Sequence, residues 1–340
     1  MAKVNILFTC AGRRNYLINY FKEALQGNGL VIATDMQADA PALIDADISV
    51  TVPAIHSGNY ISTLKNICIT HKVDAVIPLN DLELPILSQH KNEFKKNGTK
   101  VIISEELAID ISFDKWKTYK FLSSNNLLTP KTYIDISKVL KDLASNKLNF
   151  PLVLKPRWGS ASIGIDIVES MEELMLAFEL QKIKLSRSKS SNESVEDINR
   201  AILIQEKIEG TEFGMDILND FDGNYYSSFV REKLSMRCGE TDKAKSVINT
   251  EISKIGEVIS KSLGHFGNLD CDVFIEENKI YVLELNPRFG GGYPFSHEAG
   301  INTAAIYIEW IKGNSDIDQY NNYKENIIFS KCDRLIRFLI

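Results

Sequence analysis

Over its first hundred residues the chain alternates short apolar runs with amphipathic segments of about ten residues, and few architectures accept that alternation. Val4–Thr9 is a short apolar run, a glycine turn follows, and Tyr16–Leu25 carries a helical pattern. Leu30–Thr34 and Ile48–Val52 read as strands separated by a loop through Pro41. Tyr60–Thr70 reads as a helix, Ala75–Pro78 as a strand, Leu82–His90 as a helix and Val101–Ile103 as a strand. Short β-rich runs separated by amphipathic segments predict a parallel sheet covered by helices.

From about residue 106 the texture changes. Asp114–Ser123 has a helical pattern, and Leu127–Ile134 carries a proline-containing connection. Val153–Lys155 and Ile165–Val168 read as strands joined by a loop, with a helix at Met171–Leu180. Residues 186–197 (SRSKSSNESVED) are polar and serine-rich, so a solvated excursion is expected there. Ile202–Glu206, Phe213–Leu218 and Tyr225–Arg231 fit antiparallel strands, Ile252–Leu263 a helix, and Cys271–Ile275 with Ile280–Leu285 a hairpin. A length of 340 residues suits two or three domains.

Charge and composition remove several function classes. Lys+Arg 39 against Asp+Glu 45 gives a net charge of −6, without the basic field that nucleic-acid binding needs. No apolar stretch approaches the length of a membrane span. The N-terminal apolar run precedes its two arginines, the reverse of a signal peptide. Five cysteines without C-x-x-C spacing fit free thiols in a reducing compartment. The expectation is a soluble, cytoplasmic protein without nucleic-acid or membrane partners.

The strongest chemical signal is DCDVFIEENKIYVLELNPRFGGG at 270–292. Glu284 and Asn286 lie two apart on one strand and share a face, and Asp272 lies twelve residues before Glu284 on the partner strand. A three-residue loop, Glu277-Asn278-Lys279, sets Asp272 opposite Glu284; a two- or four-residue loop turns it to the other face. Two carboxylates and an amide oxygen suit Mg²⁺ shared with phosphates, and Arg288 follows, positioned to meet an anion. An exposed acidic hairpin is the alternative. Glu284 is embedded in YVLEL, where an unpaired carboxylate is costly to bury.

Weaker signals surround it. In PLVLKPRWGSASIGI (151–165), Lys155 ends an apolar strand before a loop of small residues, where backbone N–H groups can approach phosphate oxygens. In ILIQEKIEGTEF (202–213), an apolar strand runs into Glu206 and Glu212, a pair compatible with hydrogen bonds to an adenine amino group and ribose hydroxyls and equally with a strand end of solvated charges. Arg231, Lys233 and Arg237 share one parity, a basic face suited to a triphosphate or an acidic substrate. Arg13 and Arg14 open a helix, where an anion is favoured, and Asn80, Asp81 and Glu83 follow a buried strand. Asn80 or Asp81 as a plain helix cap is equally compatible. Gly12 and Asp35 mimic a dinucleotide fold, but CAGRRN has one glycine where that fingerprint needs three. His265 and His297 lack metal-ligand spacing and read as structural.

Taken in order, and with DKWKTYKFL at 114–122, these motifs resemble the ATP-grasp superfamily, in its carbamoyl-phosphate synthase large chain and biotin carboxylase type. The resemblance covers nearly the whole chain. It implies an α/β protein: a parallel pre-ATP-grasp domain at 1–105, then a two-subdomain α+β ATP-grasp domain at 106–325. Its lid would lie at about 125–205, with a tail or strand at 326–340. It implies ATP and Mg²⁺, with Mn²⁺ as the substitute. Lys115 and Lys155 would meet the phosphates and adenine region, and the loop Arg157–Gly164, including Gly159, Ser160 and Ser162, would close over the triphosphate. Glu206 with the backbone of Lys207 and Ile208 would hold adenine, Glu212 the ribose, Asp272, Glu284 and Asn286 the metal ions, and Arg288, aided by Lys155 and Arg231, the phosphoryl group. Arg13, Arg14, Asp81, Glu83 and Arg237 remain for substrate. The implied activity couples a carboxylate to an amine through an acyl phosphate; a small-molecule kinase or a silent nucleotide-binding regulator shares the motifs. The chain has length for one such module, not two, and has no biotin carrier segment; a homodimer is compatible with it. Asp272 stands where that family more often has Glu or Gln.

Overall fold

β1 (Ile6–Thr9) is buried along its whole length, so it needs a neighbour on each edge and cover on each face. After α1 (Asn15–Leu25) the chain lays down β2 (Val31–Asp35) and β3 (Ile48–Thr51) on one side. After α2 (Tyr60–Thr70) it crosses to β4 (Ala75–Pro78) and, through α3 (Leu84–Lys96), to β5 (Lys100–Val101). The result is a parallel sheet of order β3-β2-β1-β4-β5. Alternation sorts its faces: Ile6 and Phe8 join the cluster holding Leu17 and Phe21 of α1, and Leu7 the one holding Leu64 of α2 and Leu87 of α3. Strand order reverses between β1 and β4, so the loops leaving them part and open a crevice. The computed structural model describes residues 3–159, 164–187 and 198–338.

α4 (Glu106–Phe113) and α5 (Lys115–Ser124) lead to a second, antiparallel sheet. It is built from β6 (Thr132–Tyr133), β7 (Leu152–Pro156), β8 (Asp166–Val168) and β9 (Ile202–Glu206), in the order β6-β9-β7-β8, with α6 (Ile136–Ala144) and α7 (Met171–Arg187) inserted between strands. Val139 of α6 and Leu174 and Phe178 of α7 cover Leu152 and Leu154 of β7. Most of the serine-rich segment, 188–197, lies outside the described residues.

The remaining chain forms a six-stranded antiparallel sheet. Its members are β10 (Thr211–Asn219), β11 (Tyr225–Arg237), β12 (Glu240–Val247), β13 (Asn268–Glu276), β14 (Lys279–Asn286) and β15 (Ile328–Ser330), in the order β14-β13-β10-β11-β12-β15. α8 (Thr250–Leu263) puts Ile252 and Ile259 against Met215 and Val230. α9 (Tyr293–Glu298) and α10 (Thr303–Lys312) return the chain to the first sheet, where Phe21 of α1 meets Phe289 and Tyr307 edge-on at 6.3 and 6.1 Å. One apolar cluster thus runs from β1 to α10, and it fixes the β1–β4 crevice against the end of β14. The α/β class expected from the pattern is the class observed. Among the described residues, no helix is long and apolar enough to cross a membrane.

Candidate active site

The β13–β14 hairpin pairs Asp272 with Glu284 and Asp270 with Asn286, but by a route the sequence did not predict. The expected three-residue loop is corrected: Glu276 pairs with Lys279 across a two-residue turn, with Glu277 and Asn278 both left-handed at φ 48° and 62°. That turn alone puts Asp272 out of phase. A bulge at Leu283, between the Val273–Val282 and Asp272–Glu284 pairs, inserts one residue and restores the face. Asp270, Asp272, Glu284, Asn286 and Arg288 therefore line one cavity of about 280 Å³, together with Arg14 and Asp81 from the β1 and β4 loops.

Two arginines in this cavity are already committed. Arg231 is 1% exposed; Nη1 donates to Asp216 at 2.5 Å and Nη2 to Asp270 at 2.7 Å. Ser296 and Asn268 also donate to Asp216, which closes the knot. Glycine makes the room: a Cβ on Gly292 would lie 2.3 Å from the Arg231 guanidinium, and one on Gly290 would lie 2.1 Å from the Asp270 carboxyl. Arg288 bridges sheets, donating to Asp81 at 2.8 Å and to Asp270 at 3.4 Å. Burial disfavours its charge, but Asp81 and Asp270 more than compensate and hold it protonated. Arg231 thus braces Asp216 and Asp270 while lining the same cavity as Arg288.

Asp272 is balanced differently. Lys233 Nζ lies 2.7 Å from Asp272 Oδ1 and 2.7 Å from Glu212 Oε1, and is nearly buried. Burial pushes the Asp272 carboxyl up to about 6, helped by Asp270 and Glu284 and opposed by Lys233. Lys155, on β7, is 5% exposed; burial pushes it down to about 8, with Glu284 pulling the other way. Lys115 opens α5 behind its cap Asp114, which accepts two hydrogen bonds from Arg157, and its ammonium reaches the Gly159 carbonyl. Lys115 and Gly159 line a narrow opening with Glu284 and Asn286.

Asp272, Glu284 and the Asn286 amide make a hard-oxygen donor set facing one cavity, and the Lys233 ammonium already marks the point as one that holds positive charge. Among the described residues, no three His, Cys, Asp or Glu side chains are arranged to hold a metal ion. A divalent ion here would therefore lean on Asn286 and on oxygens of a ligand. The residues fit Mg²⁺ on those terms.

Other expected residues land elsewhere. Glu83 is fully buried: it accepts N–H bonds from Leu79 and Asn80 and the Tyr60 hydroxyl, in a capping box with Asn80, so it is not available to a substrate ammonium. Arg13 is 82% exposed, 3.6 Å from Asp333. Register shifts between Lys233 and Met236 break the shared parity, and Arg237 turns outward to Asp242 and Asp333. Glu206 accepts the Lys131 N–H at 3.3 Å, and Lys207 pairs with Glu209; with Ile208 they form the connection from β9 to β10 and do not line the cavity. Ser160 and Ser162 lie outside the described residues. Asp35 accepts the Gly12 N–H at 2.9 Å and shapes the loop. Both histidines are structural in their surroundings: His265 Nε2 donates to the Ile217 carbonyl while Nδ1 faces the Asn219 amide, and His297 stacks on Tyr20.

Sequence reasoning missed Asp270, Glu240 and Lys331. Asp270 had a signal, since D-C-D shares the parity of Asp272. Lys331, 3.5 Å from Glu240 on the segment after β15, had none. Arg14 keeps a guanidinium without an ion pair among the described residues, and its Nε is buried without a partner.

A family model described as "PylC-like, N-terminal domain" matches residues 6–102, and one described as "ATP-grasp domain" matches residues 112–292. The carbamoyl phosphate synthase large chain of Thermoanaerobacter sp. (strain X514) is 28% identical over 224 residues, 63% of this chain and 20% of that protein. The chain thus spans about a fifth of the length of that relative. The carbamoyl-phosphate synthase of Methanobrevibacter smithii is 25% identical over 319 residues, 88% of this chain and 78% of that one. A biotin carboxylase structure from Campylobacter jejuni superposes with a TM-score of 0.74 at 18% identity, covering 95% of this chain and 74% of that chain. At such identity the likeness is one of fold.

Proposed function

The chain belongs to the ATP-grasp family, and from that premise we propose that it is an ATP-dependent, ADP-forming ligase that activates a carboxylate and joins it to an amine. The observation that carries the reading is the convergence of Asp272, Glu284, Asn286 and Arg288 in one cavity that also meets the β1 and β4 loops. Relatives named D-alanine–D-alanine ligase and formate-dependent phosphoribosylglycinamide formyltransferase support it. In this reading residues 1–105 and 106–325 are the two units, with a lid at about 125–205, and 326–340 adds an edge strand. Free cysteines support a cytoplasmic setting.

Lys155 and Lys115 would receive the triphosphate, under the loop from Arg157 to Gly164, with Glu206, Lys207 and Ile208 at the base and Glu212 at the sugar. Asp272, Glu284 and Asn286 would hold Mg²⁺, or Mn²⁺, which screens phosphate charge when bound. Arg288, held in place by Asp81 and Asp270, would face the phosphoryl group in transfer. The substrate carboxylate attacks the γ-phosphorus and ADP leaves; the amine nitrogen then attacks the acyl carbon of the acyl phosphate, the C–O bond to phosphate breaks, and inorganic phosphate and the proton of the new amide nitrogen are released. Such chemistry needs no enzyme nucleophile; positioning and charge neutralisation carry it. Arg14, the uncommitted guanidinium, is our candidate for a second anionic group of the substrate, and Glu240, beside Gly291, for an ammonium.

The test is ADP release from MgATP across pairwise mixtures of amino acids and simple carboxylates. Release that needs both a carboxylate and an amine supports the ligase. Release with a hydroxyl compound alone would make it a kinase, and no release with any mixture would refute turnover.

A further inference from the structure

We infer that Lys233 is a tethered counter-cation for Asp272, one that keeps the carboxylates of this site from taking a divalent ion until nucleotide phosphates arrive to receive its ammonium. The inference rests on the metal and nucleotide roles proposed above. Four acidic groups crowd this part of the sheet: Asp270, Asp272, Glu284 and Glu212. Asp270 is neutralised by Arg231 and Arg288. Among the described residues, Lys233 is the cation bonded to Asp272, and the same ammonium holds Glu212. Its ammonium is nearly buried between the two carboxylates, 2.7 Å from each.

A metal ion that takes Asp272 Oδ1 must displace this ammonium. The lysine is attached to β11, so it competes at a high effective concentration. Once displaced it keeps only Glu212, in a place too dry to leave a charge half-paired. Phosphate oxygens beside Asp272 supply the missing acceptors. Lys233 thus couples the two ligands: metal alone binds poorly, metal with nucleotide binds well, and each must strengthen the other by the same factor. The flexible single-charge stem of lysine suits that exchange, whereas a forked arginine would hold on.

The experiment uses Mn²⁺ as probe, by calorimetry and thermal unfolding, on wild type, Lys233→Met and Lys233→Arg. Each is measured with and without the ATP analogue carrying a β,γ-imido bridge. Lys233→Met should bind Mn²⁺ without nucleotide at least on the order of tenfold more tightly than wild type. It should also lose most of the tightening that the analogue produces, while Lys233→Arg, whose fork holds on to Asp272, should bind Mn²⁺ more weakly than wild type with the analogue present. Equal Mn²⁺ affinity in wild type and Lys233→Met, or no binding to either, overturns the inference. If Lys233→Met does not fold, wild type decides: Mn²⁺ binding that the analogue does not tighten is equally fatal. Failure of wild type to bind the analogue with any metal would sink the nucleotide reading instead, and the metal-only comparison would still judge Lys233.

Discussion

Asp270 and Asp272 stand two positions apart on β13 and leave the sheet on the same face, yet they are held in opposite ways. Asp270 is tied to two arginines, inside a knot that also takes in Asp216, Ser296 and Asn268. Asp272 faces the cavity and meets one lysine. A guanidinium offers a rigid fork and stays charged in any surroundings, so it suits a permanent brace. An ammonium on a four-carbon stem makes contacts that a ligand can replace. The difference between the two regions is therefore one of exchangeability. Charge that shapes the fold is held by Arg231 and Arg288, and charge that would be traded during binding by Lys233 and Lys155.

The largest expected effect would come from breaking the brace. Arg231→Met leaves Asp216 and Asp270 buried without their counter-charge and should lower unfolding stability by about 3–5 kcal/mol in a urea titration. Lys233→Met should lose clearly less. If the order is reversed, the contrast between brace and exchangeable charge is wrong. Next come Glu284→Gln and Asn286→Ala. Either should reduce ADP formation roughly 100-fold or more while moving unfolding stability by only about 0.5 kcal/mol. Retained turnover, or collapse of the fold, would remove this pair from the exchangeable side.

Lys155→Ala should weaken ATP binding by about 1.5–3 kcal/mol in calorimetry, whereas Lys3→Ala should leave it unchanged. The acidity of Lys155 sharpens that test. Burial lowers its proton affinity to about 8, and the triphosphate prefers the protonated form. ATP affinity should accordingly be flat below pH 8 and fall above it, because binding must then take up a proton; Lys155→Ala should lose this dependence. The smallest effect belongs to the cavity mouth. Arg14→Ala should raise the apparent substrate constant about tenfold, the worth of one charge-assisted contact, at constant ATP affinity. Arg13→Ala, exposed and outside the cavity, should change neither.

Much of the scaffold was legible without coordinates. α2 and β4 have the bounds that their periods dictate, because a buried parallel strand must be apolar throughout and its covering helix must be amphipathic. β12 was not legible: its inward residues Thr241, Ala244 and Ser246 are small or polar, so the strand shows no hydrophobic alternation. α10 was missed for the opposite reason, since it is buried on nearly every side and has no polar stripe to mark it.

At the site, parity along one strand already placed Glu284 beside Asn286, because side-chain direction is a local property of an extended chain. Whether Asp272 joined them depended on Leu283 bulging to offset a two-residue turn, a backbone choice that the residue types do not encode locally. The partners of the charges lay further beyond reach. Arg288 meets Asp81 across 207 positions, and Arg334 meets Asp45 across 289. Composition supplied the charges and period supplied their faces; which of them neutralise one another, and which remain free to bind, was decided only when the parallel sheet and the six-stranded sheet brought distant segments into one cavity.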